Sequence, residues 1–443
     1  MKKPIAVYDN VPQPREAWMW DRSALEAWQL ARLNQQLAEI LLANRFYRHK
    51  FRSSALQLKS LQELQQLPMT TKDELVRSVD QYGLSQHQTF ELSRYTRMHR
   101  TSGTIGAPLL ICDTAEDWQG WWSVTWQHVL EAAEVTHADR VFLAFSFGPF
   151  IGFWSAHQAC VDRGVMVIPG GGLSSIARLE FMRQSQATVV LCTPSYALHL
   201  AEIAERESLP LGELKVDRII VAGEAGGSLP SVRSRIESAW QARVVDHCGA
   251  TEVGPWGFGW PDRPGLHLIE TSFIAELLPM GATQAILPSQ ATPEQMAAPA
   301  ELVLTSLGRL SAPVFRYRTG DIVHASLSER DDCKFLWLPS GVTGRTDDMV
   351  TIRGVNLFPS SIEAIAREFT SIQEYRIIIS RNGELDEIHM EVEAPEEELA
   401  SISKRLDIVL GLRIVVTRVP PNTLPRSEAK AKRWVDQRRR RDS

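Results

Sequence analysis

The stretch HRTSGTIGAPLLICD, residues 99–113, gathers hydroxyl side chains and glycines around one isoleucine. Glycine lets a backbone turn sharply and pass close to a ligand, and successive free N–H groups can cup an anion. The chemistry such a loop suits is the holding of an anionic group. It is not a Walker loop, because no G-x-x-x-x-G-K-[ST] run occurs, and it is not a dinucleotide fingerprint. Four further stretches mix glycine with acidic, basic or hydroxyl residues, GEAGG (223–227), DHCGATE (246–252), RYRTGD (316–321) and GRTDDMVTIRGVNLFPSSIE (344–363), and a fifth, LPRSEAKAKR (424–433), is rich in lysine and arginine.

Elements able to position these stretches are legible around them. DRSALEAWQLARLNQQLAEILLAN reads as an amphipathic helix, with Leu30, Leu33, Leu37, Ile40 and Leu41 at helical spacing and Ser23 and Glu26 as a capping box. In LPMTTKDEL, Thr70 or Thr71 is placed to cap a second helix. RVFLAFSF, GVMVIPGGG, ATVVLCTP and DRIIVAGE read as buried strands, separated by three helical patterns. Such alternation predicts an α/β domain with a largely parallel sheet, whose ligands sit beyond the carboxyl ends of the strands. After DHCGATEVGPWGFGW the strands become short and read as more antiparallel. PMGATQAILPSQATPEQMAAPA reads as a surface loop, and a boundary falls near GRTDDM. Beyond it, four strand patterns and two helical ones make a small α+β unit.

Taken in order, TSGTIG, GEAGG, DHCGATE, RYRTGD, GRTDDMVTIRGVNLFPSSIE and LPRSEAKAKR resemble the motifs of the adenylate-forming acyl-CoA synthetase superfamily, in its phenylacetate-CoA ligase branch. The resemblance runs from LPMTTKDEL almost to the last residue. It implies an α/β fold: a large N-terminal AMP-binding and acyl-acid-binding domain with mainly parallel sheets, residues 1–345, plus a small mobile α+β C-terminal domain, residues 346–443. It also implies an AMP-forming acid–thiol ligase. A carboxylic acid and ATP would give an acyl adenylate and pyrophosphate, and coenzyme A would then displace AMP to give a thioester. Attack of a carboxylate on the α-phosphorus brings anions together, so positive charge must be concentrated there.

The same resemblance distributes roles. Thr101, Ser102, Gly103, Thr104 and Gly106 would hold the β- and γ-phosphates. Where family loops continue with lysine, this chain has Ala107. Gly223, Glu224, Ala225 and Gly226 would border the adenine, together with Cys248 and Gly249; Cys248 stands where the family has a stacking tyrosine. Thr251 and Glu252 would contact phosphate and bind Mg²⁺, a hard cation suited to a carboxylate. Asp321 would receive the ribose hydroxyls and Arg345 would make a second nucleotide contact. Asp347 is the implied hinge, Gly354 the glycine lining the coenzyme A path, and Lys430 the adenylating lysine, with Lys432 its neighbouring alternative.

The segment FSFGPFIGFW falls where the family builds its acyl pocket. It supplies Phe145, Phe147, Phe150 and Trp154, and GPWGF adds Trp256 and Phe258. An aromatic-lined site points to an aryl or arylalkyl acid. Of a zinc site known in some relatives only His267 and Cys333 are recognisable, so no structural zinc is expected. Two other readings share these motifs: an adenylating enzyme that passes the acyl group to a carrier-protein phosphopantetheine or an amine, and a non-catalytic binder of nucleotide or acyl adenylate.

Composition sets the outer limits. The chain has 443 residues, 44% hydrophobic and 23% charged, with net charge −5. That balance gives no general affinity for nucleic acid or anionic membranes. The five cysteines are scattered without a C-x-x-C pair, which suits a reducing compartment. MKKPIAVYDNVPQPREAW lacks an apolar h-region, and no apolar run approaches the roughly 18 residues that span a bilayer. A cytoplasmic location is expected, with a small-molecule acid, and coenzyme A or an acyl carrier protein, as partners.

Overall fold

The apolar runs read as buried strands become the spine of one sheet in the computed structural model, which describes residues 8–79, 84–101, 108–328, 330–352, 355–382, 385–426 and 433–438. Ahead of that spine, β1 (Arg97–Arg100) and β2 (Leu110–Asp113) pair antiparallel, one before and one after the glycine-rich stretch in sequence. Then β3 (Arg140–Leu143), β4 (Met166–Pro169), β5 (Val189–Cys192), β6 (Arg218–Ala222) and β7 (Arg243–Ala250) run parallel to one another. Helices Ile151–Asp162, Ser175–Ser185 and Pro194–Arg206 connect the first four of them. Val189, Val190 and Cys192 are fully buried, as expected where helices cover both faces of a parallel sheet.

The sheet then changes direction. β8 (Gly254–Trp260) and β9 (Arg263–Leu268) continue it antiparallel, while β10 (Phe273–Pro279), β11 (Ala300–Ser306) and β12 (Tyr317–Val323) start a second, antiparallel sheet. β13 (Trp337–Leu338) edges the first sheet beside β9, and β14 (Val342–Arg345) closes the second against β12. The stretch read as one surface loop is more ordered than expected. Ile286 pairs with Leu277, and Thr292 caps a short helix, Pro293–Ala297.

Past residue 350 the chain builds separately. β15 (Val350–Ile352) pairs with β16 (Val355–Leu357). β17 (Glu374–Asn382) and β18 (Leu385–Glu393) form the centre of a sheet flanked by β19 (Val415–Arg418) and β20 (Trp434–Asp436). With helices Pro359–Ala366 and Leu399–Leu410 they enclose an apolar core drawn only from residues 352–414. No described helix is long and apolar enough to cross a membrane.

Two sequence expectations about helix starts have different outcomes. Thr71 caps the helix Lys72–Arg77, accepting from Glu74 N–H at 3.3 Å. The long helix Arg22–Ala43 is capped by Asp21, which accepts from Ala24 N–H at 2.8 Å, and Ser23 lies inside the helix. A carboxylate at position 21 reaches the third residue on, which is the geometry an N-cap needs.

Candidate active site

Asp321 on β12 lies directly opposite Arg345 on β14. Arg345 Nη1 donates to Asp321 Oδ1 at 2.6 Å, while Nε and Nη2 fork onto Asp347 at 2.9 and 3.1 Å. Residues from two successive motifs thus form one cluster. Burial alone would lower the Arg345 pKa, but the charges of Asp321 and Asp347 carry it above the ordinary guanidinium value. Gly320 has φ 77°, and a Cβ there would stand 3.0 Å from Arg345 Nη2. Only glycine takes that backbone conformation without strain while the guanidinium passes so close.

Glu252 sits at the turn between β7 and β8, only 6% exposed. Its partner is one the sequence reading missed: Lys72 Nζ stands 3.1 Å from Glu252 Oε1. The stretch TTKDEL signalled only a helix start. What brings Lys72 here is Thr70, whose N–H donates to Arg316 O and whose carbonyl accepts from Arg318 N–H, both at 2.9 Å. Arg316 itself is left-handed, φ 46°, and its guanidinium is clamped on Glu276 at 2.8 and 2.9 Å. Tyr317, buried on the same strand as Asp321, is bridged to Thr70. Burial, and then the charge of Glu252, push its phenol well above the ordinary value; Arg345 and Asp321 also act on it.

The turn that bears Thr251 and Glu252 is pinned from below. Arg309 Nη1 donates to the Thr251 and Glu252 carbonyls at 3.1 and 3.0 Å. The same guanidinium forks onto Asp113 at 2.8 and 2.9 Å, with both side chains at 0% exposure. Asp113 ends β2, so one arginine ties the glycine-loop hairpin to the acidic turn. At the neck of that hairpin Thr101 closes a two-bond ring with Leu109, both bonds 3.0 Å. Ser102, Gly103, Thr104, Gly106 and Ala107 lie outside the described residues, as do Gly354, Lys430 and Lys432.

Gly223 to Gly226 turn at the carboxyl end of β6. Gly226 has φ 158°, where a Cβ would meet the Pro194 ring at 2.5 Å. Glu224 accepts from Ser195 N–H at 2.7 Å, at the start of helix Pro194–Arg206, and burial raises its pKa. Cys248, half-buried, faces Gly257 across β7 and β8, and Gly249 faces Pro255.

The aromatic residues divide. Phe145 stacks on Phe153 with ring centroids 3.5 Å apart, and Phe147 meets Trp154 edge-on at 4.9 Å. Trp154 and Phe150 are 42% and 38% exposed. Trp154 also forms a wall of a cavity of about 480 Å³, with Arg97, His99, Trp118 and Pro149 among the others. Trp256 and Phe258 are fully buried. Phe258 stacks on Trp18 at 5.3 Å and on His267 at 5.6 Å, so its ring is spent on core packing. His267 accepts from Trp260 Nε1–H at 2.9 Å, and its Nε2 is 2.9 Å from Ser328 Oγ, which leaves neither nitrogen open to a metal.

Residues 354–438 match the family described as the AMP-binding enzyme C-terminal domain. The phenylacetate-coenzyme A ligase of Pseudomonas putida is 30% identical to this chain over 433 residues, covering 94% of each protein. Crystal structures of a 2-hydroxyisobutyryl-CoA ligase are similar in fold. In the postadenylation state, in complex with R3-HIB-AMP, that enzyme superposes with a TM-score of 0.86 at 26% identity, over 97% of this chain and 94% of its own. In the thioesterification state, with 2-HIB-AMP and CoA, the TM-score is 0.70 at 27% identity, over 98% and 95%. Near-equal coverage with a lower score means that parts of the chain are arranged differently, and the present arrangement is nearer the postadenylation one. The chain belongs to the phenylacetate-CoA ligase family, acid–thiol ligases that act through an acyl adenylate.

Proposed function

We propose that this enzyme activates an aryl or arylalkyl carboxylic acid with ATP and Mg²⁺ and passes the acyl group to coenzyme A. The observation that carries the reading is the presence of the Asp321–Arg345 and Glu252–Lys72 ion pairs at the positions of family motifs, in a chain related to a phenylacetate-CoA ligase over almost its whole length. Asp321 receives the ribose hydroxyls, because two neighbouring donors suit one carboxylate. Arg345 neutralises that carboxylate and holds its direction. Gly223 to Gly226, Cys248 and Gly249 border the base, and Thr101 with Ser102, Gly103, Thr104 and Gly106 cradles the outgoing pyrophosphate. The exposed aromatics Phe150 and Trp154, with Phe147, supply the apolar wall for the acid. Residues 1–345 form the substrate-binding domain and 346–443 the mobile one, a division supported by the separate core of residues 352–414.

The donor set fits a magnesium ion. Glu252 is a buried carboxylate whose charge is balanced by a one-third-exposed lysine, so an oxygen ligand and a displaceable cation stand together. Glu252 with Thr251 would hold the ion, which supplies charge neutralisation at the phosphates. Lys72, released from Glu252, is then free to face phosphate oxygens, on the side where the glycine-rich loop has Ala107 in place of lysine. The acid carboxylate attacks the α-phosphorus and pyrophosphate leaves. The thiol then attacks the acyl carbon and AMP leaves.

Acid-dependent exchange of labelled pyrophosphate into ATP, run across a panel of aryl and alkyl acids and followed by coenzyme A addition, tests this reading. Exchange with aryl acids and subsequent thioester formation are expected. Exchange without thioester would favour a carrier protein or amine as acceptor, and absence of exchange with every acid would favour a binder. Glu252→Gln keeps the shape but removes the charge. It is expected to raise the Mg²⁺ concentration giving half-maximal exchange by roughly tenfold, about what 1.4 kcal/mol of lost affinity produces. An unchanged magnesium dependence would remove Glu252 from the metal site.

A further inference from the structure

Where helix Pro194–Arg206 faces the C-terminal unit, attraction and repulsion meet across a narrow polar cleft. Its lining includes His199 and Glu202 on one side and Arg367, Arg426 and Arg433 on the other. Arg426 Nη2 donates to the buried Glu393 at 2.9 Å, and its Nε stands 3.8 Å from Glu202 Oε2. A second contact crosses nearby, Ser231 Oγ donating to Ala364 O at 3.0 Å. The other carboxylates on the C-terminal side are taken up within that side. Glu363 accepts from Arg367 at 2.7 Å and from Arg433 at 3.1 Å, and Arg433 also forks onto Glu374. Arg235 of helix Pro230–Trp240 has Nη1 buried with no hydrogen-bond partner among the described residues. Burial, and then the like charge of Arg367, lower its pKa, while Glu202, Glu363 and Glu374 act the other way.

We propose that Glu202 and Arg426 are positioning residues for adenylation: their ion pair holds the C-terminal unit in the postadenylation-like arrangement, weakly enough that the arrangement stays easy to leave. A unit that must depart in every turnover needs an interface close to balance. A partly exposed pair near 4 Å shifts an equilibrium by only about two- to fivefold, which suits a reversible hold. The proposal rests on the two-arrangement reading above. It adds which charges set the balance.

The test is made in the full chain. Glu202→Arg replaces the attraction with repulsion toward Arg426. It is expected to lower acid-dependent pyrophosphate exchange by about tenfold, with thioester formation from supplied acyl adenylate and coenzyme A unchanged or raised. General damage to the fold would move both half-reactions down. Parallel losses in the two half-reactions would overturn the proposal. Small-angle scattering of the substrate-free proteins supplies a readout independent of any acid. Glu202→Arg is expected to depart from the wild-type profile, and coincident profiles would overturn the proposal. Absence of exchange in the wild type with every acid would instead overturn the functional reading, and scattering would still decide this one.

Discussion

Lys430→Ala is expected to cut acid-dependent pyrophosphate exchange by roughly 10²–10³-fold, the loss typical of removing one preorganised donor from a developing anion. Attack of an anionic carboxylate on an anionic phosphate is held back by charge, and a lysine spanning both lowers that barrier in the transition state more than in the ground state. The thiol step has no such need, so thioester formation from supplied acyl adenylate is expected to fall far less. The described flanks of the segment 427–432 are held firmly. Arg426 is anchored on Glu393, and Arg433 on Glu374 and Glu363. The opposing charges hold Glu363 down at about 2 despite its burial, so that anchor stays ionised through the working pH range. Full exchange in Lys430→Ala, with loss in Lys432→Ala, would transfer the role to the second lysine.

Arg309→Met is expected to destabilise the large unit by about 3–5 kcal/mol, the cost of leaving a buried charge without its partner. The arginine and Asp113 are both fully buried, and the same guanidinium satisfies the carbonyls of Thr251 and Glu252. Asp113 would be left beside Asp117, whose pKa is raised by burial and then by the Asp113 charge. The shift of the urea unfolding midpoint measures the effect. Adding Asp113→Asn to Arg309→Met is expected to recover part of the loss, because the unpaired charge disappears. A midpoint shift worth less than about 1 kcal/mol would mean that water reaches Asp113 and that the pair is not dry.

Both predictions show where sequence reading stops. Lys430 is proposed from its motif, since LPRSEAKAKR carries a lysine where the family resemblance implies one. Arg309 could not be named that way. Its neighbours in SLGRLSAP have no motif, and its importance comes from a partner 196 residues away. Lys72 lay inside a quoted stretch but was read only for its helix-start chemistry. Its ion pair with Glu252 exists because Thr70 bonds to the chain on either side of Tyr317. The burial of the aromatic set was not readable from composition. Phe147, Phe150 and Trp154 follow β3 at its carboxyl end, where a parallel sheet exposes its loops, whereas Phe258 lies in mid-strand and turns into the core against Trp18.

By itself the sequence determined the element types and the order of the chemistry. Apolar runs such as VVLC and IIVA have no polar face, which suits strands buried on both sides. Glycine and hydroxyl runs permit a close approach to phosphate wherever they are placed. Only the tertiary structure decided which charges meet. Register set Asp321 against Arg345, because β12 and β14 pair antiparallel and one residue of slip would turn both side chains to the other face. Burial decided the rest. Asp113 and Arg309 are charged residues like any others in the sequence, and they become a joint between hairpin and turn only where the fold removes water and leaves each, among the described residues, as the other's counter-charge within bonding distance.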